Sequence, residues 1–156
     1  KPPGRHSADL TEAFESVMLR TLMTPLVLIT QFFAVYVVVH GHYSPGGGFQ
    51  GGVLLAASFI LPQLLSNRPR RYPYPNERGA IFMAIAGVSI FALFAVFPLP
   101  MGLPMLDYSA LPLGAVAPAD RRSLGILGIE VGVMLAVAGS MLSIYYALRG
   151  GNQKPA

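Results

Sequence analysis

The chain has 156 residues, of which 53% are hydrophobic and only 12% charged, with a formal charge of +4 and no cysteine. Soluble domains carry about 25% charged residues, so this chain lacks the side chains to cover a globule in water, and the bilayer is its natural solvent. The missing cysteines exclude disulfides, thiolate catalysis, zinc–thiolate sites and iron–sulfur ligation within the chain. The cations gather at predicted helix ends, without a basic groove of interleaved aromatics, which argues for membrane lipid and against nucleic acid as a partner.

Charge is cleared from long blocks. No Lys, Arg, Asp or Glu lies between Arg20 and Arg68 or from Gly79 to Leu106, and from Ser123 to Leu148 the only charge is Glu130. A charge at the centre of a bilayer costs at least about 2.5 kcal/mol, so a membrane explains the clearing and a soluble core does not.

Residues 1–21 form a polar N-terminal segment. Residues 1–7 are rich in Pro and Gly. Residues 8–19 then place Leu10, Phe14, Val17 and Met18 at helical spacing opposite Asp9, Glu12 and Glu15. This pattern predicts a short helix on the membrane surface, or an extension of the first spanning helix. Four spans follow within residues 22–148: Leu22–Val39, Phe49–Leu65, Ala80–Phe97 and Leu124–Leu148. Pro25 is expected in the first turn of the first span, where a proline is tolerated. Residues 149–156 form a tail. The fold class is therefore an all-α membrane protein with four transmembrane helices and a short N-terminal interfacial helix.

The connections differ. The first, His40–Gly48, is short and glycine-rich. The second, Ser66–Gly79, carries four arginines, and the third, Pro98–Ser123, carries five prolines and is expected to pack on the surface as irregular chain. Nine Lys and Arg lie in the N-terminal segment, second connection and tail, against two (Arg121 and Arg122) in the others. That asymmetry predicts cytoplasmic termini.

The most specific stretch is Gly41-His42-Tyr43-Ser44-Pro45-Gly46-Gly47-Gly48-Phe49-Gln50-Gly51-Gly52, seven of whose twelve residues are Pro or Gly. Pro45 and the glycines after it favour a tight turn. Gly48, Gly52 and Ala56 make a small-residue row along which helices approach closely in lipid, with Gly47 and Gly51 beside it. The cluster is not a phosphate-binding loop, which would follow a strand and end in Lys-Ser/Thr. A second row, Gly128, Gly132, Ala136 and Ser140, runs along the fourth span. Glu130 stands roughly 200° around the helix from it. An acid inside a span is by default functional: Glu130 binds a proton or cation on a path, holds a subunit interface, or is a helix-end carboxylate that reaches the headgroups. His40 and His42, at the mouth of the first span, are further candidates for proton exchange, or capped residues of the turn.

His42-x-x-Pro45-Gly46-Gly47-Gly48-Phe49-x-Gly51-Gly52 resembles the signature of the B subunit of Mrp-type multisubunit Na⁺/H⁺ antiporters. Glu130-Val131-Gly132-Val133 looks like that family's last helix. The resemblance covers about residues 20–148, with Tyr43 a departure where Asn is more usual. It implies a prokaryotic plasma-membrane subunit, in a complex that moves Na⁺ and H⁺, with large antiporter-like and small subunits as partners. It also implies that the antiport machinery resides mainly in the large subunits. The alternative it leaves open is a sodium-translocating module of a membrane-bound hydrogenase or related redox complex. No cofactor and no metal site is expected. The sequence holds no paired acids, no HExxH and no Ser-His-Asp set, so it does not read as an enzyme.

Overall fold

A computed structural model describes residues 4–41, 46–65, 74–112 and 117–151, with side chains described from residue 21 onward except at Leu65, Pro118 and Gly151. The expectations for His42, Pro45, Arg68, Arg70, Arg71 and the end of the tail lie outside the described residues. Four helices account for the membrane part: α1 (Gly4–Val39), α2 (Gly48–Leu65), α3 (Glu77–Val96) and α4 (Pro118–Gly151). Thr21–Val39, Glu77–Met101 and Ala119–Gly150 are each long and apolar enough to cross a bilayer, and Gly48–Leu64 is a shorter apolar helix.

Helix α1 selects one of two readings and corrects an expectation. It runs unbroken for 36 residues, so the N-terminal stretch is the extension of the first span rather than a separate interfacial helix. Pro25 consequently lies in the helix interior, not in its first turn. Its ring has no N–H to give the turn before it, a loss that costs least where neighbouring groups take over the bonding. One turn further on, the Thr30 hydroxyl donates to the Leu26 carbonyl at 2.8 Å.

Helix α3 begins three residues before the expected Ala80 because Asn76 caps it. The Asn76 side chain accepts from the Gly79 N–H at 2.7 Å, and Glu77 places its charge at the positive end of the helix. Helix α4 is the longest of the apolar elements after α1, starting on a proline and carrying Arg149 in its last turn, which suits the negative end of its dipole.

The helices stand in a row rather than a closed bundle. Helix α1 packs chiefly on α2, α2 on α4, and α4 on α3, so α4 lies in the middle. The third connection is more ordered than an irregular surface chain. It contains two 3-10 turns, Leu99–Met101 and Tyr108–Ala110, and buries Pro98 completely. Asp107 accepts from the Ser109 N–H at 3.0 Å, and Arg121 of α4 donates to the Ser109 carbonyl at 3.3 Å. Large apolar side chains such as Phe32, Phe82 and Leu148 are exposed along the outer faces. In lipid or against partner helices that exposure carries no penalty.

Candidate functional site

Glu130 and the glycine turn, far apart in sequence, meet in space. Gly48, the first residue of α2, lies directly against the backbone carbonyl of Glu130, so that a side chain there would collide with it. The carboxylate lies over the two glycines that flank the turn. A methyl group at Gly41 would sit 2.6 Å from Glu130 Oε2, and one at Gly47 would sit 3.2 Å from Oε1. Gly47 has φ +106°, a conformation that L side chains rarely adopt, so glycine is favoured there by its backbone. Its carbonyl accepts the first helical bond of α2, from the Gly51 N–H at 3.0 Å.

The carboxylate is thus held between two helix ends. Gly41 follows the last residues of α1, whose carbonyls form the negative end of that helix. Gly47 precedes α2, whose free N–H groups form a positive end. Oε2 is buried.

The glycines divide their work between neighbours. Gly48 and Gly52 face α4, where a methyl group at Gly52 would lie 2.7 Å from the Met134 carbonyl oxygen and 2.8 Å from Val137 Cβ. Gly51 faces α1, against Val38 and the Ala34 carbonyl. On the opposite side of α4, Gly128 meets the Phe94 ring and Gly132 meets Gly87 and Phe91. The second row therefore holds α3, as its position opposite Glu130 implies. Its expected last member does not: Ser140 is exposed, and Gly139 continues the contact against Ala80 and Ala84. Phe49 turns outward, 64% exposed. It lines a shallow apolar groove of about 310 Å³ with Ala136, Val137, Ser140, Met141 and Ile144.

His40 is at the end of α1 but bound to its own helix. Its Nδ1 lies 3.1 Å from the Tyr36 carbonyl oxygen, and its ring stacks on that of Tyr36 at 4.1 Å.

A family model described as a domain related to the MnhB subunit of Na⁺/H⁺ antiporter matches residues 18–152. The chain belongs to the MnhB family. It is 32% identical over 138 residues to a protein of Staphylococcus haemolyticus named "Putative antiporter subunit mnhB2", with 86% of this chain and 95% of that one covered. Proteins of the same name from Staphylococcus aureus strains MRSA252 and Newman are 30% and 31% identical, at the same coverage.

At the far end of this MnhB-family chain is a cluster that sequence reading missed. The Tyr146 hydroxyl of α4 donates to the Pro75 carbonyl at 2.6 Å and meets the amide of Gln63, on α2, at 3.2 Å. Gln63 also donates to the Phe59 carbonyl at 2.9 Å. This knot ties α2, α4 and the residues before α3 together. Its signal was present as a tyrosine pair and a lone glutamine near the ends of apolar runs, but nothing in their spacing pairs them.

Proposed function

We propose that this chain is a non-catalytic membrane subunit of a multisubunit Na⁺/H⁺ antiporter of the prokaryotic plasma membrane. Its termini are cytoplasmic, and it assembles with large antiporter-like and small subunits. Within that complex Glu130 binds a proton or a monovalent cation on a path shared with a neighbouring subunit. The observation that supports this most is the seating of the Glu130 carboxylate over Gly41 and Gly47, between the end of α1 and the start of α2. Broken helix ends around a lone intramembrane charge are a recurrent way to hold ions within a bilayer. The single acid also explains why the chain needs partners: one carboxylate makes a station on a path, not a complete antiporter.

The test is Glu130→Gln, which keeps shape and hydrogen bonding but cannot ionise. Cation/proton exchange falls in vesicles while the amount of assembled complex is unchanged. Loss of assembly instead would make Glu130 an interface residue, and normal transport with normal assembly would remove it from the path. The isolated subunit in liposomes moves no cations.

A further inference from the structure

We infer that the third connection lies in the lipid interface rather than in water, with Met101, Met105 and Leu106 among the acyl chains and Arg122 at the phosphate headgroups. Depth, backbone bonding and side-chain chemistry each lead there.

The depth is set by two tyrosines. At one end of the α3–α4 pair the Tyr146 hydroxyl meets the Pro75 carbonyl, and at the other the Tyr108 ring lies on Gly125. Along α4 these two levels are about 30 Å apart at the helical rise, the thickness of a hydrocarbon core. Tyrosine at both limits is the pattern of aromatic belts. The Leu106 N–H donates to the Ala95 carbonyl at 3.2 Å. Ala95 follows Phe94, which packs on Gly128, one turn of α4 inside the Tyr108 level. The connection thus folds back, and Leu106 lies on the membrane side of Tyr108. Arg121 is about one turn outside that level, donating to the Ser109 carbonyl at 3.3 Å, and Arg122 beside it is exposed. Asp107 lies within the field of Arg122, on the charged side.

The backbone is prepared for a medium without water. Lipid does not tolerate irregular chain with unbonded N–H groups. Pro98, Pro100, Pro104 and Pro112 have no N–H to bond. Met101 and Leu103 both donate to the Pro98 carbonyl, at 3.0 and 3.3 Å, and Gly102 donates to that of Leu99 at 3.0 Å. Asp107, Ala110 and Leu111 donate to carbonyls within the connection as well. A loop made for water has no reason to withdraw its donors so thoroughly.

The side chains match that medium. Leu99, Met101, Met105 and Leu106 are exposed, and they continue the outward surface of α3 at Leu93 and Val96. Leu106 has φ +65°, a conformation that glycine would take without strain. In water a glycine there would remove both the strain and the exposed leucine. In lipid the side chain offsets what the backbone loses. Apolar groups, then tyrosine, then arginine follow one another outward, which is the order of acyl chains, interface and phosphate. A protein partner would impose no such order by depth.

The test uses a fluorescent thiol label and two quenchers. The chain has no cysteine of its own, so complex carrying the unaltered chain supplies the background to subtract. Leu106→Cys and Arg122→Cys are each assembled with the partner subunits in membrane vesicles and labelled with bimane. The label at position 106 loses its fluorescence to nitroxide carried on lipid acyl chains and is spared by aqueous iodide. The label at position 122 is quenched by iodide and spared by the acyl nitroxide. Quenching of position 106 by iodide would place the connection in water, and protection from both quenchers would place it under a protein partner. Either result overturns the inference, as does quenching of position 122 by the acyl nitroxide. Should Leu106→Cys fail to assemble, Met101→Cys is read in the same way, with the same outcomes deciding. None of these readings depends on the role of Glu130.

Discussion

Gly48 stands against the carbonyl of Glu130 so closely that no side chain fits between α2 and α4 at that level. Forcing atoms into a packed contact costs about 1–3 kcal/mol, so Gly48→Leu and Gly52→Leu lower the amount of assembled complex rather than only its rate. Native gels of solubilised membranes measure this. Gly150→Ala is the control, because a methyl group there meets nothing within 4 Å. Undiminished complex from both leucine variants would contradict the packing.

The α3–α4 contact fails independently. A methyl group at Gly87 would press on the Ala136 backbone and lie 2.6 Å from the Gly132 carbonyl oxygen. Gly87→Ala therefore lowers the melting temperature of the purified complex, with a cost again of about 1–3 kcal/mol. Since Gly52 and Gly87 touch opposite sides of α4 and share no partner, the effects of Gly52→Ala and Gly87→Ala add. Strong non-additivity in thermal unfolding would mean that the two seams are coupled.

Tyr146→Phe removes the hydroxyl that donates to Pro75 and meets Gln63. The expected loss is about 0.5–1.5 kcal/mol. Gln63→Leu costs less in the Tyr146→Phe background than in the wild type, because the shared bond is already gone. A double-mutant cycle with zero coupling energy would dissolve the knot.

Asp107 gives the third connection a pH dependence of known sign. Hydrogen bonds from Ser109 hold its carboxyl below the ordinary carboxylate range, with Arg122 adding a smaller pull in the same direction. A depressed folded value means that the stabilisation is fully present above the unfolded value, about 3.9, and is lost as pH falls through the folded one. Amide exchange at Ser109 and Ala110 therefore quickens only under strongly acid conditions. Asp107→Asn, which still accepts a hydrogen bond, abolishes that pH response. An unchanged acid response in the variant would assign it to another group.

Much of this arrangement was legible in the residues themselves. The roughly half-turn between Glu130 and the Gly128–Gly132 row separated a packing face of α4 from an acidic one, and Gly48 and Gly52 marked where another helix would approach. Periodicity states which residues share a face, but not which helix the face meets. That Gly51 turns to α1 while Gly52 turns to α4 depends on α2 standing between them. Pro25 misled because a proline near the start of a hydrophobic run looks like a helix beginning, whereas the polar residues before it lack any breaker after Gly4. Ser140 fell out of its row because straight helices drift from a strict four-residue repeat, and Gly139 takes the contact. The pairing of Tyr108 with Gly125 joins a proline-rich connection to a helix with no repeating pattern to announce it.

The middle place of α4 also orders events during synthesis. Helix α3 is made before α4, yet ends up on its far side from α2. While α3 emerges from the ribosome, the Gly48–Gly52 face of α2 and the Gly87 face of α3 have no counterpart within the chain. Only when the last helix is translated can it slide between them and seat both. A chain terminated before Pro118 would therefore insert three hydrophobic segments and still lack the acid and both seams, a nascent product for membrane proteases to clear rather than a shortened subunit.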